Sequence, residues 1–109
     1  MSQAYHLVWT ANALEDLLEI IAYIKEDNPD AAERVYRSIR EKAESSSFFP
    51  LKGRVVPELE REGITLYREI VAPPWRIIYR IMDERVYVMA IVDSRRNLED
   101  LLLRKLLKK

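Results

Sequence analysis

The chain has 109 residues, of which 49% are hydrophobic, and this suits one domain with a single buried core over residues 1–109. Lysine and arginine together number 18, as do aspartate and glutamate, so the formal net charge is zero. Proteins that hold nucleic acid mainly through its phosphates carry a basic excess, so any basic surface here must be local. The absence of cysteine excludes disulfides and thiolate metal sites.

Neither end of the chain suggests export or membrane insertion. The N-terminus lacks the basic and apolar regions of a secretory signal, and no apolar run approaches the ~18 residues of a membrane span. We therefore expect a cytoplasmic protein with no membrane partner. No motif calls for a cofactor or a metal, and we expect none.

The first half of the chain predicts a strand followed by two helices. Residues 5–9 predict a short strand, and apolar residues at helical spacing predict a helix from Ala11 to Asp27. Asn28 ends this helix and caps the next one, which we expect from Pro29 to about Glu44. So short a link predicts an antiparallel helical hairpin.

The stretch after the hairpin has no sustained period. Residues 45–47 are three serines, which we expect to unwind the second helix, and residues 48–51 (Phe-Phe-Pro-Leu) are expected to anchor the next loop to the core. Residues 52–63 predict a long loop, whose Lys52 and Arg54 either add positive charge to a functional surface or are simply solvated.

Residues 66–92 predict a three-strand meander, with breaks at Pro73-Pro74 and at Asp83-Glu84. If both breaks are two-residue turns, the pairing register assigns every side chain to a face. The core face would then carry Trp75, Ile77, Tyr79, Ile81, Ile70, Val86, Val88, Ala90 and Val92. The opposite face, a solvent-facing platform, would carry Arg76, Ile78, Arg80, Tyr67, Glu69, Tyr87, Met89 and Ile91.

A leucine-rich helix is predicted from Leu98 to Leu107, either buried on two sides or partly left for a partner. The order β-α-α-β-β-β-α predicts an α+β fold, in which a small antiparallel sheet packs against the N-terminal helical hairpin.

The only chemistry that the pattern gathers is a set of arginines. Arg76 and Arg80 share a strand, and Arg95 and Arg96 follow the last strand. Guanidinium groups on a rigid sheet bind phosphate and stabilise a phosphoryl transition state, and they also serve as contacts in protein docking surfaces. The balanced charge favours docking.

Several runs, in this order and spacing, resemble the ParE and RelE superfamily of toxins from type II toxin-antitoxin modules, also known as plasmid stabilisation proteins. The resemblance covers nearly the whole chain. The runs are Ala13-Leu14-Glu15-Asp16-Leu17, Ala22-Tyr23-Ile24, Gly53-Arg54-Val55-Val56-Pro57-Glu58-Leu59, Tyr67-Arg68-Glu69-Ile70, Trp75-Arg76-Ile77-Ile78-Tyr79-Arg80-Ile81 and Ser94-Arg95-Arg96-Asn97-Leu98.

The resemblance implies a small sheet on a helical hairpin and a cognate antitoxin that wraps and neutralises the toxin in a hetero-oligomer. We assign Leu101, Leu102 and Leu106 to antitoxin binding. Members similar to RelE cleave mRNA on the ribosome with strand lysines, two arginines and a C-terminal tyrosine. Arg76 matches the first arginine and Arg95 the second, whereas apolar residues and Arg68 replace the lysines, and the tyrosine position falls near Leu101.

Members similar to ParE instead poison DNA gyrase, and the Gly53-Arg54 and Arg68-Glu69 pairs look closer to that branch. Our leading hypothesis is therefore a gyrase-binding toxin. The alternatives are a ribosome-dependent mRNA endoribonuclease, with Tyr79 or Tyr87 as acid or base beside Arg76 and Arg95, and a degenerate toxin that only binds its antitoxin. The expected target-binding or phosphate-binding residues are Arg54, Arg68, Arg76, Arg80, Arg95 and Arg96.

Overall fold

The computed structural model describes residues 4–95 and 98–107. In chain order its elements are β1 (His6–Trp9), α1 (Ala11–Asp27), α2 (Pro29–Phe48), β2 (Arg54–Val55), α3 (Pro57–Glu60), β3 (Tyr67–Ala72), β4 (Trp75–Met82), β5 (Arg85–Asp93) and α4 (Leu98–Leu107). The predicted α+β fold class is confirmed. Within these described ranges, no helix combines the length and apolar character that crossing a membrane requires.

The five strands form one sheet in the order β1-β5-β4-β3-β2. Strands β3, β4 and β5 are the predicted antiparallel meander, with turns at the predicted sites, since Ala72 pairs with Trp75 and Met82 with Arg85. Strand β1 adds to β5 in parallel, so the sheet is mixed rather than wholly antiparallel. Strand β2 has only two residues, too few for a periodic signal in the sequence.

The helical hairpin has the predicted caps but a longer second helix. Asn28 accepts a hydrogen bond from the Ala31 amide at 3.0 Å, which fixes the start of α2. The predicted end near Glu44 is wrong, because α2 continues to Phe48. The hydroxyls of residues 45–47 donate to carbonyls three residues earlier at 2.5 to 2.8 Å, so these serines stay within the helix.

A β-bulge changes the predicted register of the meander. Ile78 pairs with Ala90 and Tyr79 with Val88, so Met89 is an extra residue in β5. Because side chains alternate along a strand, one extra residue inverts the faces of everything beyond it.

The inversion corrects three assignments. Ile91, predicted on the platform, packs in the core beneath the hairpin, whereas Ala90 and Val92 pack on the other side of the sheet. Arg76 accordingly lies opposite Val92 rather than Ile91.

The second face of the sheet is covered by α3 and α4. Together they bury a second core, which comprises Val56, Leu59, Tyr67, Ile78, Ala90, Val92 and Leu102. The prediction that this face is a solvent-exposed platform is therefore wrong. It failed because α3 is one helical turn inside a stretch that we interpreted as loop.

The loop between α2 and β2 is held by its backbone, not by its apolar side chains. Phe48, Phe49 and Leu51, which we expected to anchor it, are exposed. Instead, the Tyr79 hydroxyl donates to the Pro50 carbonyl at 2.6 Å and accepts from the Gly53 amide at 3.1 Å.

Gly53 lies so close to β3 and β4 that a Cβ atom there would be 2.6 Å from the Glu69 carbonyl oxygen and would overlap the Tyr79 hydroxyl. We expect Gly53→Ala to lower the free energy of unfolding by about 2 kcal/mol, because overpacking displaces the loop from the sheet. Urea denaturation measures the change.

Gly63→Asn is the control, since nothing lies within 4 Å of a Cβ atom there and asparagine tolerates the φ of +80°. Its cost should stay below about 1 kcal/mol. A Gly53→Ala protein as stable as the unmodified chain would contradict the close packing.

Candidate functional site

Four charged side chains are in direct contact on the sheet face beneath α3. Arg76 donates from Nε to Glu69 Oε1 at 2.6 Å, and from Nη1 and Nη2 to Glu58 Oε2 and Oε1 at 2.8 and 2.7 Å. Arg54 donates from Nε to Glu69 Oε2 at 2.5 Å. Since Arg76 is 5% exposed and Glu69 2%, the central pair of this ion cluster lies in the protein interior.

Short elements bring the ion cluster together. Val71 is the residue opposite Arg76, so Glu69 is its diagonal neighbour on the same face of the β3–β4 pair. Strand β2 places Arg54 opposite Glu69. Helix α3 starts at Pro57 and holds Glu58 in its first turn, above the sheet.

The charges of the ion cluster compensate one another. Hydrogen bonds from Arg76 lower the pKa of Glu58 from 4.5 to about 2. The hydrogen bonds to Glu58 and then Glu69 raise the pKa of the Arg76 guanidinium. With two cations and two anions, the cluster presents no net positive charge to a phosphate group.

Strand β4 carries two other predicted site residues, of which Tyr79 is buried and Arg80 is partly buried. Tyr79 is fully buried, and both hydrogen bonds of its hydroxyl go to the loop backbone. Burial raises its pKa, which opposes a role as a base. Arg80 lies 6.0 Å from the Tyr67 ring centroid, and its buried Nε has no acceptor among the described residues.

Two predicted arginines line the loop before β2. Arg68 donates from Nη1 to the Gly53 carbonyl at 2.6 Å and to the Leu51 carbonyl at 3.4 Å. The side chain of Arg54 is 63% exposed, but its charge is paired with Glu69. Both residues are therefore part of the support for this loop.

The remaining predicted residues lie at opposite ends of β5. Arg95 is exposed, and its Nε and Nη2 donate to Asp93 at 2.9 and 2.7 Å. Tyr87 is six residues before Asp93, roughly 20 Å away along an extended strand. Arg96 lies outside the described residues. Among the predicted arginines and tyrosines that the structure describes, Arg76 and Tyr79 are buried, so these residues do not form one exposed site.

The leucines assigned to antitoxin binding take part in the second core. Leu102 is fully buried in the second core, and Leu101 and Leu106 pack against that core. Helix α4 therefore uses this side to cover the sheet, and Leu102 has no exposed surface to offer a partner.

Asp16 links α4 to the rest of the fold, a role that the sequence analysis missed. The helical spacing of α1 predicts a position on its solvent side, among the other charged residues, but Asp16 is buried. One carboxylate oxygen accepts from Lys105 of α4, and the other accepts from the Ile91 amide at 3.0 Å. Nothing in the helical spacing of α1 distinguished this acid from its neighbours.

The partners of Arg76 were also missed, although one signal was available. The predicted register already placed Glu69 on the same face as Arg76, and opposite charges on diagonal positions attract. Glu58 gave no such signal, because it lies in a stretch that we predicted as loop. What the ion cluster can do chemically is hold α3 and β2 on the sheet; it has no free cation with which to clamp phosphate.

We expect Arg76→Met to lower the free energy of unfolding by about 3 kcal/mol, because it leaves the carboxylate of Glu69 buried without its main partner. Chemical denaturation measures the loss. Arg37→Met is the matched control, since Arg37 forms an exposed ion pair with Glu33 at 3.3 Å. It should cost less than about 0.5 kcal/mol. Equal losses in the two variants would contradict a structural role for the buried cluster.

The ion cluster also predicts how stability depends on acid. Because the pKa of Glu58 is about 2 in the fold and 4.5 without its partner, its contribution is complete above pH 4.5 and is lost as the pH falls toward 2. We expect Glu58→Gln to be less stable near neutral pH and to lack this part of the pH profile. Thermal melting from pH 2 to neutral pH measures both, and an unchanged profile would contradict the assignment.

Comparison with known proteins finds toxins of toxin-antitoxin systems by sequence. Residues 7–98 match the family model for the ParE toxin of the type II toxin-antitoxin system parDE. Toxin RelE2 of Caulobacter vibrioides is 34% identical over 85 residues, which cover 78% of this chain and 90% of that protein.

Two solved structures share the fold. A chain of the chromosomal ParDE TA system from P. aeruginosa superposes with a TM-score of 0.70 at 18% identity, over 84% of this chain and 98% of that one. A chain of the toxin-antitoxin complex RelBE2 from Mycobacterium tuberculosis superposes with a TM-score of 0.60 at 22% identity, over 85% of this chain and 94% of that one. These two structures share the fold, and the family match over residues 7–98 together with the 34% identity to Toxin RelE2 leads to one conclusion: the chain belongs to the ParE toxin family of type II toxin-antitoxin systems, within the ParE/RelE superfamily.

Proposed function

We propose that this chain is a toxin that acts by binding and poisoning DNA gyrase, and that a cognate antitoxin neutralises it in a hetero-oligomer. The match to the ParE family model supports the target, and the titles of the two similar structures, both of toxin-antitoxin systems, support the partner.

The choice of target rests on one observation, the burial of Arg76 and its pairing with carboxylates. Cleavage of RNA needs a cation that is free to hold the scissile phosphate and groups that transfer protons. Arg76 is buried between two carboxylates, and the Tyr79 hydroxyl is buried and bound to the backbone. A phosphate would have to displace Glu58 and Glu69 from Arg76, and these anions repel it. A toxin whose arginines are occupied in this way acts more readily by binding a protein than by cutting RNA.

A second candidate is ribosome-dependent cleavage of mRNA, which the similarity to Toxin RelE2 favours. In that case Arg95 would hold the phosphate, because it is exposed and was predicted both as a phosphate-binding and as a catalytic residue. The two candidate functions make different predictions for cleavage of message by the Arg95→Ala variant.

We expect the purified chain to inhibit supercoiling by purified DNA gyrase and to increase the amount of gyrase cleavage complexes, while primer extension on translated message shows no new cuts. Arg95→Ala should leave cleavage of message undetectable, as in the unmodified chain, and Arg37→Ala is the control with an equally exposed arginine. Unchanged gyrase activity would contradict the proposal. Cuts in the message that disappear in Arg95→Ala would establish the ribonuclease instead, and neither activity would leave a toxin that only binds its antitoxin.

A further inference from the structure

Three large apolar side chains are exposed at the end of α2 and in the loop that follows it. Phe48 is 57% exposed, Phe49 63% and Leu51 70%. Exposed large apolar side chains are unfavourable in water, and a group of them marks interaction sites in folded proteins. Residues of this type are usually buried, so their exposure requires an explanation that the fold alone does not provide.

The backbone beneath these side chains is held in place by buried groups. The Phe49 amide donates to the Ser45 carbonyl at 3.1 Å, and the Lys52 amide donates to the Phe49 carbonyl at 3.0 Å. The Tyr79 hydroxyl, buried in the sheet, binds both the Pro50 carbonyl and the Gly53 amide. Binding of a partner to this loop would therefore cost little conformational entropy of the toxin.

Two cations beside the apolar side chains have no anionic partner. Neither Lys52 nor Arg68 forms an ion pair with any carboxylate in the part of the chain that the structure describes. Arg68 uses only Nη1 for the loop carbonyls, so its Nε and Nη2 remain to form a two-pronged contact with a carboxylate. This surface differs from the ion cluster, where every cation is compensated.

We propose that Phe48, Phe49, Leu51, Lys52 and Arg68 form a docking surface for an acidic, apolar segment of the toxin's protein target. The inference rests on the proposed function, in which that target is DNA gyrase. Apolar anchors of the target segment would cover the two phenylalanines and Leu51, and a carboxylate beside them would bind the Arg68 fork, with Lys52 at the rim.

The composition of the surface favours a protein over a nucleic acid as the occupant. Binding to a phosphate backbone draws its affinity from many cationic contacts that release counterions, and this surface offers two in a chain of zero net charge. Aromatic side chains with an arginine beside them are typical of the residues that dominate protein interfaces.

The test measures binding of the purified, full-length chain to purified DNA gyrase by biolayer interferometry. Phe49→Ser and Leu51→Ser should each weaken binding by about 30-fold, as expected for the centre of an interface. Leu14→Ser and Leu18→Ser are the matched controls, because these leucines of α1 are 45% and 64% exposed in the same fold. They should leave the affinity within about twofold, and circular dichroism checks that all four variants are folded.

The charge of the surface is tested separately. Lys52→Glu should slow association and Lys52→Arg should not, and the difference between them should shrink as salt is added. Arg68 is left unchanged in these variants because it also supports the loop.

The outcomes distinguish the two levels of the argument. If the unmodified chain does not bind gyrase, both the proposed function and this docking surface are wrong. If it binds gyrase and the Phe49 and Leu51 variants bind as tightly, only the docking surface is wrong. The docking surface for gyrase is also wrong if these variants still bind gyrase but no longer bind the antitoxin or single-stranded RNA. The same holds if they abolish self-association of the free chain. In each case the surface would belong to another occupant.

Discussion

The structure depends on the burial of two opposite charges, Glu69 and Arg76, in the middle of a sheet that is covered on both faces. A buried ion is tolerated only if its partners remain in place, because an uncompensated charge in the interior is costly. Glu58 and Arg54 are those partners, and they are supplied by α3 and β2. Two elements of four and two residues, which could not persist alone, are thereby fixed on the sheet.

The same requirement separates stability from function in this toxin. Four of the arginines proposed to hold a phosphate have other partners: Arg54, Arg76 and Arg95 pair with carboxylates, and Arg68 binds loop carbonyls. The groups that we propose for a partner are at the surface, at the end of α2 and in the loop that follows it. Such an apolar and cationic surface suits binding to a protein, as in the proposed function, better than holding RNA, which draws on many free cations.

Long periodic segments were predictable, and short or irregular ones were not. The helices follow from apolar residues at helical spacing, and the meander follows from alternating residues between clear breaks. The bounds of α1 and α4 and the sites of the two turns were therefore located correctly. The bulge at Met89 has no local signal, yet it moves Ile91 to one core and Val92 to the other. The alternation correctly placed Arg76 and Arg80 on one face of the sheet. It could not show that this face is covered, because the cover includes α3, a single turn beginning at Pro57.

Asp16 makes the two ends of the chain mutually dependent. Its carboxylate joins an amide of the central strand β5 to the ammonium group of Lys105 in the last helix, so a charge near the start of the sequence is compensated only when the end of the sequence is docked. Without the ammonium group of Lys105, the buried carboxylate of Asp16 would lose its cationic partner and keep the Ile91 amide. Burial of this acid in α1 and docking of α4 on the rest of the fold are therefore coupled to each other.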